Sequence, residues 1–246
     1  MATNPRKQRL DVALVERGLA VSREKAQAMI LAGDVRVAGQ AEKRASVAVA
    51  ADATIEVAQP PRFVSRGGEK LDHALDVFGI AVDGVCALDV GASTGGFTHV
   101  LLQRGASRVF AVDVGYGQLD QRLRDDARVV VMERTHVRDL PALPEQPRLA
   151  TIDVSFISLT RALPPVIAAL AGGAPIVALV KPQFEAGKDD VGRDGVVRDP
   201  LTHATVIGRA AWWAVNHGLR VRGVTTSPLL GPAGNREFFL HLETPA

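Results

Sequence analysis

Cys86-Ala-Leu-Asp-Val-Gly-Ala-Ser-Thr-Gly-Gly-Phe-Thr-His-Val-Leu-Leu102 opens as an apolar run, breaks into glycines, and resumes with apolar residues at Phe97, Val100 and Leu101. That order reads as a buried strand, a tight turn and a helix. Gly91, Gly95 and Gly96 let the backbone approach a ligand closely, and the first turn of the helix offers unpaired N–H groups. A second apolar run, 109–112, ends in Asp113, well placed to accept hydrogen bonds from ribose hydroxyls. The stretch is therefore expected to cradle a nucleoside-type cofactor.

The loop itself narrows the choice. A dinucleotide fingerprint runs G-x-G-x-x-G, its middle glycine lying against the pyrophosphate. Here the loop runs Asp89-x-Gly91-x-x-x-Gly95-Gly96, without that middle glycine, which disfavours a nicotinamide oxidoreductase. Asp89 places a carboxylate near the loop, unhelpful to a diphosphate but suited to an amino-acid ammonium group. S-adenosylmethionine meets those demands, with no phosphate, an amino-acid end, a ribose and an adenine. Asp139, just after the third strand, is then the expected acceptor for the adenine amino group.

Outward from the motif, apolar runs at 109–112, 129–132, 149–152, 176–180, 221–225 and 237–242 alternate with helical stretches such as 159–171 and 202–216. The alternation predicts an α/β fold with a doubly wound, mostly parallel sheet and a ligand at the carboxyl ends of its strands. The last run follows the turn at 231–235 closely, so it is expected to return as an antiparallel hairpin arm. Residues 162–180 carry no charge and reach membrane-spanning length, but Pro164, Pro165, Gly172, Gly173 and Pro175 break them into helix, turn and buried strand. Residues 1–7 contain no apolar signal segment, and a soluble, cytoplasmic protein is expected. The single cysteine, Cys86, excludes an internal disulfide framework and a cysteine-rich metal site, and reads as a core thiol. No metal is expected.

The 246-residue chain is long enough for a large domain and a small one. Net charge is only +2, yet residues 1–44 hold nine Lys/Arg against five Asp/Glu, or +4. A basic front end hints at nucleic acid. Residues 9–18 read as a short helix stopped by Gly18; Ser22 caps a second helix that ends at Gly33. Residues 35–40 and 53–57 read as strands around a Gly39 turn. Arg-Leu-Asp, Gly-Leu-Ala-x-Ser-Arg-x-x-Ala and Ile-x-x-Gly-x-Val-x-Val, within residues 9–57, resemble the S4 RNA-binding domain. The resemblance implies RNA phosphate contacts from Arg9, Arg23, Lys25 and Arg36. Ala38 departs from it, since the family usually carries Asn before the turn glycine.

Residues 60–66, Pro-Pro-Arg-Phe-Val-Ser-Arg, read as a stiff, extended connector between an S4 domain (1–59) and a catalytic domain (67–246), with Arg62 and Arg66 added to the expected RNA contacts. A helix follows, with Leu71, Ala74, Leu75 and Phe78 inward and Lys70 in its first turn. Asp153 and Lys181 end strands, and Glu237 opens the last one. Charges at the mouths of buried strands are costly without partners. They form either a structural ion-pair network or, with Lys70, a group around one reacting hydroxyl.

Asp-Val-Gly-Ala-Ser-Thr-Gly-Gly-Phe-Thr, Ile-Asp-Val-Ser-Phe-Ile-Ser-Leu, Val-Lys-Pro-Gln-Phe-Glu and Gly-Asn-Arg-Glu-Phe-Phe are similar to the TlyA (haemolysin A) family, which joins an S4 domain to an FtsJ/RrmJ-like methyltransferase. The resemblance covers residues 9–243. It implies a Rossmann-like class I methyltransferase that moves a methyl group from S-adenosylmethionine to a cytidine 2′-oxygen of ribosomal RNA, in 16S, 23S or both. It places the family's Lys-Asp-Lys-Glu set on Lys70, Asp153, Lys181 and Glu237, with Lys181 expected to take the hydroxyl proton. Its cofactor loop falls on Gly91, Ser93, Thr94, Gly95, Gly96 and Phe97, with Asp153 expected to face the sulfonium. The partners implied are ribosomal RNA and ribosomal subunits, with no membrane and no obligatory protein partner. Lys188, Arg193 and Arg198, in the glycine-rich stretch 185–198, suggest a mobile lid or an RNA contact, against a plain solvated loop. A catalytically idle ribosome-assembly factor and a membrane-active haemolysin are the competing readings.

Overall fold

A computed structural model describes residues 7–58 and 61–246. Residues 1–6, read as free of a signal segment, and Gln59 and Pro60, at the start of the expected connector, lie outside the described residues. The chain divides into two compact units, Met1–Pro61 and Arg62–Ala246.

The front unit runs β1 (Gln8–Arg9), α1 (Leu10–Glu16), α2 (Arg23–Ala32), β2 (Val35–Val37), β3 (Gln40–Ala41), β4 (Ala48–Val49) and β5 (Ile55–Val57). Ser22 accepts a hydrogen bond from the Lys25 N–H and caps α2, which Gly33 ends in the left-handed conformation at φ 85°. β2 pairs antiparallel with β3 and β5, and β1 with β4. Leu10, Ala13, Leu14, Ala26, Ile30, Val35 and Val49 close the small core. Ala38 stands at φ 49° in the two-residue turn from Val37 to Gln40, followed by Gly39 at φ 78°. Two positive φ values define the turn that favours Asn-Gly, so the alanine carries local strain.

The second unit runs α3 (Arg66–Phe78), β6 (Cys86–Val90), α4 (Gly96–Gln103), β7 (Arg108–Val112), α5 (Gln121–Arg124), β8 (Val129–Met132), β9 (Leu149–Ile152), α6 (Leu159–Ala169), β10 (Pro175–Val180), α7 (Pro182–Glu185), α8 (Pro200–Asn216), β11 (Arg220–Thr226) and β12 (Phe238–Glu243). The sheet order is β11-β12-β10-β9-β6-β7-β8. β8, β7, β6, β9 and β10 are parallel; β12 is antiparallel to both of its neighbours. The expected doubly wound sheet and its hairpin arm are both present.

Alternation along the strands explains the two helical layers. Leu88, Val90, Phe110, Ile152, Ile176 and Ala178 face α6 and α8, where Leu163, Val166, Val206 and Ala210 meet them. Ala87, Val109, Leu149, Val177 and Phe239 face the other way, against Leu71 and Leu75 of α3 and Phe97 and Leu101 of α4. Cys86 is buried, and burial pushes its thiol up to about 11, as a packed core residue requires.

The expected connector is not free-standing. From Arg62 it belongs to the second unit, because Phe63 is buried in the α3–α4 core and the Val64 N–H donates to His99 Nδ1 at 3.1 Å. Arg62 itself is taken up by an ion pair with Asp72 and lies 4.8 Å from the Phe63 ring centroid.

Candidate functional site

The glycine loop after β6 is held from below and from the side. The Gly91 and Ala92 N–H groups donate to the Val112 carbonyl at 2.8 and 3.1 Å. Asp113, at the end of β7, accepts from the Ser93 N–H at 2.9 Å and the Gly115 N–H at 2.7 Å. Gly91 stands at φ 86°, and a Cβ there would come within 2.3 Å of the Asp153 carbonyl oxygen. At Gly96 a Cβ would come within 2.3 Å of Ser65 Oγ. A side chain at either position would fill the cradle between the loop, β9 and α3.

Two cavities of about 470 Å³ each meet at Gly91, Ser93 and Asp153. One is lined by Asp113, Val114, His136, Val137, Phe156 and Ile157, apolar walls with an acidic end. That composition fits an adenine and a ribose. The other receives Lys70, Asp153, Lys181 and Glu237 together with the glycine loop, Thr94 and Phe97 included. The four charged residues, far apart in sequence, thus converge on one space.

They are arranged as two ion pairs. Lys70 Nζ donates to Glu237 Oε2 at 2.5 Å, with 7% and 1% of the two residues exposed. Lys181 Nζ lies 2.6 Å from Asp153 Oδ1 and donates to Ser155 Oγ at 3.0 Å. This second pair is more open, its side chains 13% and 23% exposed. α3 begins at the cavity wall: Ser65 lies at its N-cap without bonding to the helix, and Arg66 donates to the Leu230 carbonyl at 3.0 Å.

Two expected cofactor contacts stand elsewhere. Asp89 is fully buried and lines neither cavity; its oxygens accept from Thr98 Oγ1 at 2.6 Å and Thr151 Oγ1 at 2.9 Å. It points to the α4 face of the sheet and ties β6 to α4 and β9. Burial pushes its carboxyl up to about 6, against the downward pull of the two hydroxyls. Asp139 is exposed on the short 3-10 turn Val137–Asp139 and is not part of the cavity wall, where His136 and Val137 stand instead.

Three features were not read from the sequence. Phe156 is 90% exposed on the cavity wall at φ 64°, a conformation no pattern of residue types announces for a bulky side chain. Its ring lies 4.9 Å from that of Phe184. Glu185 accepts from the Leu159 N–H at 2.7 Å and Ser158 Oγ at 2.8 Å, so, with the Lys181 contacts to Asp153 and Ser155, residues 181–185 and the segment 153–159 are joined by four polar contacts. Asn235, almost fully buried, accepts from the Val197 N–H and donates to the Gly195 carbonyl, both at 2.9 Å. The end of the expected lid is therefore anchored. Arg198 pairs with Asp194 at 2.5 Å, while Lys188 and Arg193 are exposed.

In the front unit Arg9, Arg23, Lys25 and Arg36 reach the surface. No helix among the described residues is long and apolar enough to cross a membrane, and no group of three or more His, Cys, Asp or Glu among them could hold a metal ion.

Residues 63–244 match the FtsJ-like methyltransferase family, and residues 8–55 match the S4 domain. The 16S/23S rRNA (cytidine-2'-O)-methyltransferase TlyA of Mycobacterium tuberculosis is 49% identical over 243 residues, 97% of this chain and 91% of that protein. Hemolysin A of Brachyspira hyodysenteriae is 40% identical over 236 residues, 95% of this chain and 98% of that one. Among solved structures, a hemolysin-labelled protein from Streptococcus thermophilus superposes with a TM-score of 0.75 and 41% identity, covering 99% of this chain and 90% of its own.

Proposed function

The chain belongs to the FtsJ-like methyltransferase family and carries an S4 domain ahead of it, and on that premise we propose that it moves a methyl group from S-adenosylmethionine to the 2′-oxygen of a cytidine in ribosomal RNA. The observation that carries this reading is the meeting of two Lys–carboxylate pairs in one cavity, which shares Gly91, Ser93 and Asp153 with a second cavity of apolar walls and an acidic end at Asp113. Cytidine and ribosomal RNA come from the named activity of the Mycobacterium relative. S-adenosylmethionine supplies an activated methyl group on a sulfonium. The apolar walls would take its adenine, Asp113 its ribose, and the glycine loop its amino-acid end.

The chain's own residues then work mainly by placement. In-line transfer to a hydroxyl depends on alignment, and positioning supplies much of the rate. A ribose hydroxyl is a poor nucleophile until its proton leaves, and the proposed acceptor is Lys181 as the neutral amine, after its ammonium has given a proton to solvent. Asp153 orients Lys181 and lines both cavities; Glu237 holds Lys70 in the wall of the one that receives all four charges. The front unit, with Arg9, Arg23, Lys25 and Arg36, brings the RNA, joined by Arg66, Lys188 and Arg193 of the second unit. Arg62, already paired with Asp72, has the smaller part. A cytoplasmic protein is the setting this reaction needs.

The test is ribosomal RNA incubated with labelled S-adenosylmethionine, followed by nucleoside mapping. The wild-type chain should yield 2′-O-methylcytidine. Lys181→Ala should bind cofactor normally and lose incorporation by about 10²–10⁴-fold. RNA binding without methyl incorporation by the wild type would favour the idle assembly factor; full incorporation by the variant would remove Lys181 from its role.

A further inference from the structure

Asp11 lies in the first turn of α1 and is wholly shielded from solvent. Six donors converge on its two oxygens. Arg9 Nε and Nη2 fork onto Oδ1 and Oδ2 at 3.0 Å each. Arg23 Nε and Nη2, from α2, reach Oδ2 at 3.3 and 3.2 Å. Gln27 Nε2 adds a bond of 2.8 Å to Oδ2, and the Val12 N–H one of 3.0 Å to Oδ1. The Arg9 fork holds the carboxyl far below the usual carboxylate range.

One buried negative charge thus fixes two guanidinium groups that come from different elements. Both arginine side chains remain about half exposed, 48% and 56%. Neither Nη1 bonds to protein among the described residues, so each fork is held by one edge and offers the other outward. The cluster keeps a net charge of +1. Two long side chains with their torsions already fixed lose little freedom on binding an anion, whereas free ones lose much of it.

We propose that Asp11 is the positioning residue of a two-arginine clamp, and that the clamp takes phosphodiester oxygens of the RNA backbone. This rests on the reading of the front unit as the RNA-binding part. The fork geometry matches phosphate, which accepts from guanidinium edges in pairs. The clamp reads backbone position rather than base sequence.

The proposal makes a prediction of unusual sign. Asp11→Asn removes a buried negative charge from beneath the two exposed arginines, and charge alone would tighten RNA binding. If Asp11 positions the arginines, the same change loosens it. The experiment is filter binding of deproteinised ribosomal RNA to the full chain across a salt series, with thermal unfolding of each variant alongside. Asp11→Asn should weaken binding about three- to tenfold. The double variant Arg9→Lys with Arg23→Lys keeps both charges but loses the forks, and should weaken it by a similar factor. Adding Asp11→Asn to the lysine pair should then cost little more. Binding by Asp11→Asn that equals or exceeds wild type overturns the proposal. Should that variant fail to fold, the lysine pair decides: wild-type affinity there overturns it equally. Arg9→Ala with Arg23→Ala tests the underlying reading, since unchanged affinity in that variant would mean this surface does not meet RNA at all.

Discussion

Asp89 gives the most direct test of how the site is held together. A carboxyl at 3.8 in its ordinary state and about 6 when folded makes the folded chain bind protons more tightly than the unfolded one. Stability from this group is therefore full at low pH and is lost as pH rises through about 4 to 6. A gap of roughly two units corresponds to ~3 kcal/mol in total. Between about pH 5 and about pH 7.5 the share lost is ~1.4 kcal/mol, because at the lower value the unfolded chain is already mostly ionised. Asp89→Asn cannot titrate and lacks that increment. Its other effects, including a changed bond to Thr98 or Thr151, cancel when one variant is compared with itself at two pH values. Both tryptophans, Trp212 and Trp213, lie in α8, so fluorescence-monitored urea unfolding reports the second unit. The wild type should lose ~1.4 kcal/mol more than Asp89→Asn on going from about pH 5 to about pH 7.5. Identical pH dependence in the two proteins would refute the account of Asp89 as a buried acid raised by desolvation.

Two further outcomes follow from local geometry. Ala38→Asn, at φ 49° ahead of Gly39, should stabilise the front unit by about 0.5–1 kcal/mol in urea unfolding of the full chain, since Asn adopts the left-handed region with less strain; an unchanged midpoint would show the turn to be unstrained. Glu185→Ala removes the polar ties of α7 to Ser158 and Leu159 and should lower kcat for methylation about tenfold with cofactor affinity kept, while Glu185→Gln restores most of it; equal rates in all three proteins would separate α7 from the alignment of Lys181.

Much of this is legible in the sequence alone. Strand–glycine–helix periodicity located β6, the loop and α4, because side-chain alternation and glycine freedom are local properties. The charged strand ends were legible for a similar reason: a charge at the mouth of a buried strand needs a partner, and Lys70, Asp153, Lys181 and Glu237 were the candidates present. What stayed hidden was the use each side chain makes of distant neighbours. Asp89 looked available to a ligand, but Thr151, 62 residues away in sequence, takes one oxygen and Thr98 the other. Asp139 sits at the right place in the chain, yet a single turn carries it outside the wall while His136 and Val137 face inward. The stretch at 60–66 opens with the two prolines of a connector, but Phe63 is an apolar ring that the α3–α4 core can bury. Phe156 depends on a backbone angle that side-chain chemistry disfavours, so only the surrounding contacts fix it.

The two ion pairs differ in a way that assigns them different work in the proposed reaction. Each pair sums to zero charge, so the cavity holds two lysines and two carboxylates without an uncompensated ion, the state that buried sites tolerate least. Lys70–Glu237 is sealed, with almost no exposed surface on either residue. Although both residues line the cavity, little of either meets water, and breaking the pair would leave a poorly solvated charge. Lys181–Asp153 is partly open, and Lys181 also reaches Ser155. Solvent can therefore take the ammonium proton of Lys181 before a turnover and leave the amine that the hydroxyl proton needs. Asp153 is also the one charged residue on the edge shared by both cavities, where a methyl donor and a ribose hydroxyl would have to meet. The sealed pair fixes the wall, and the open pair handles the proton.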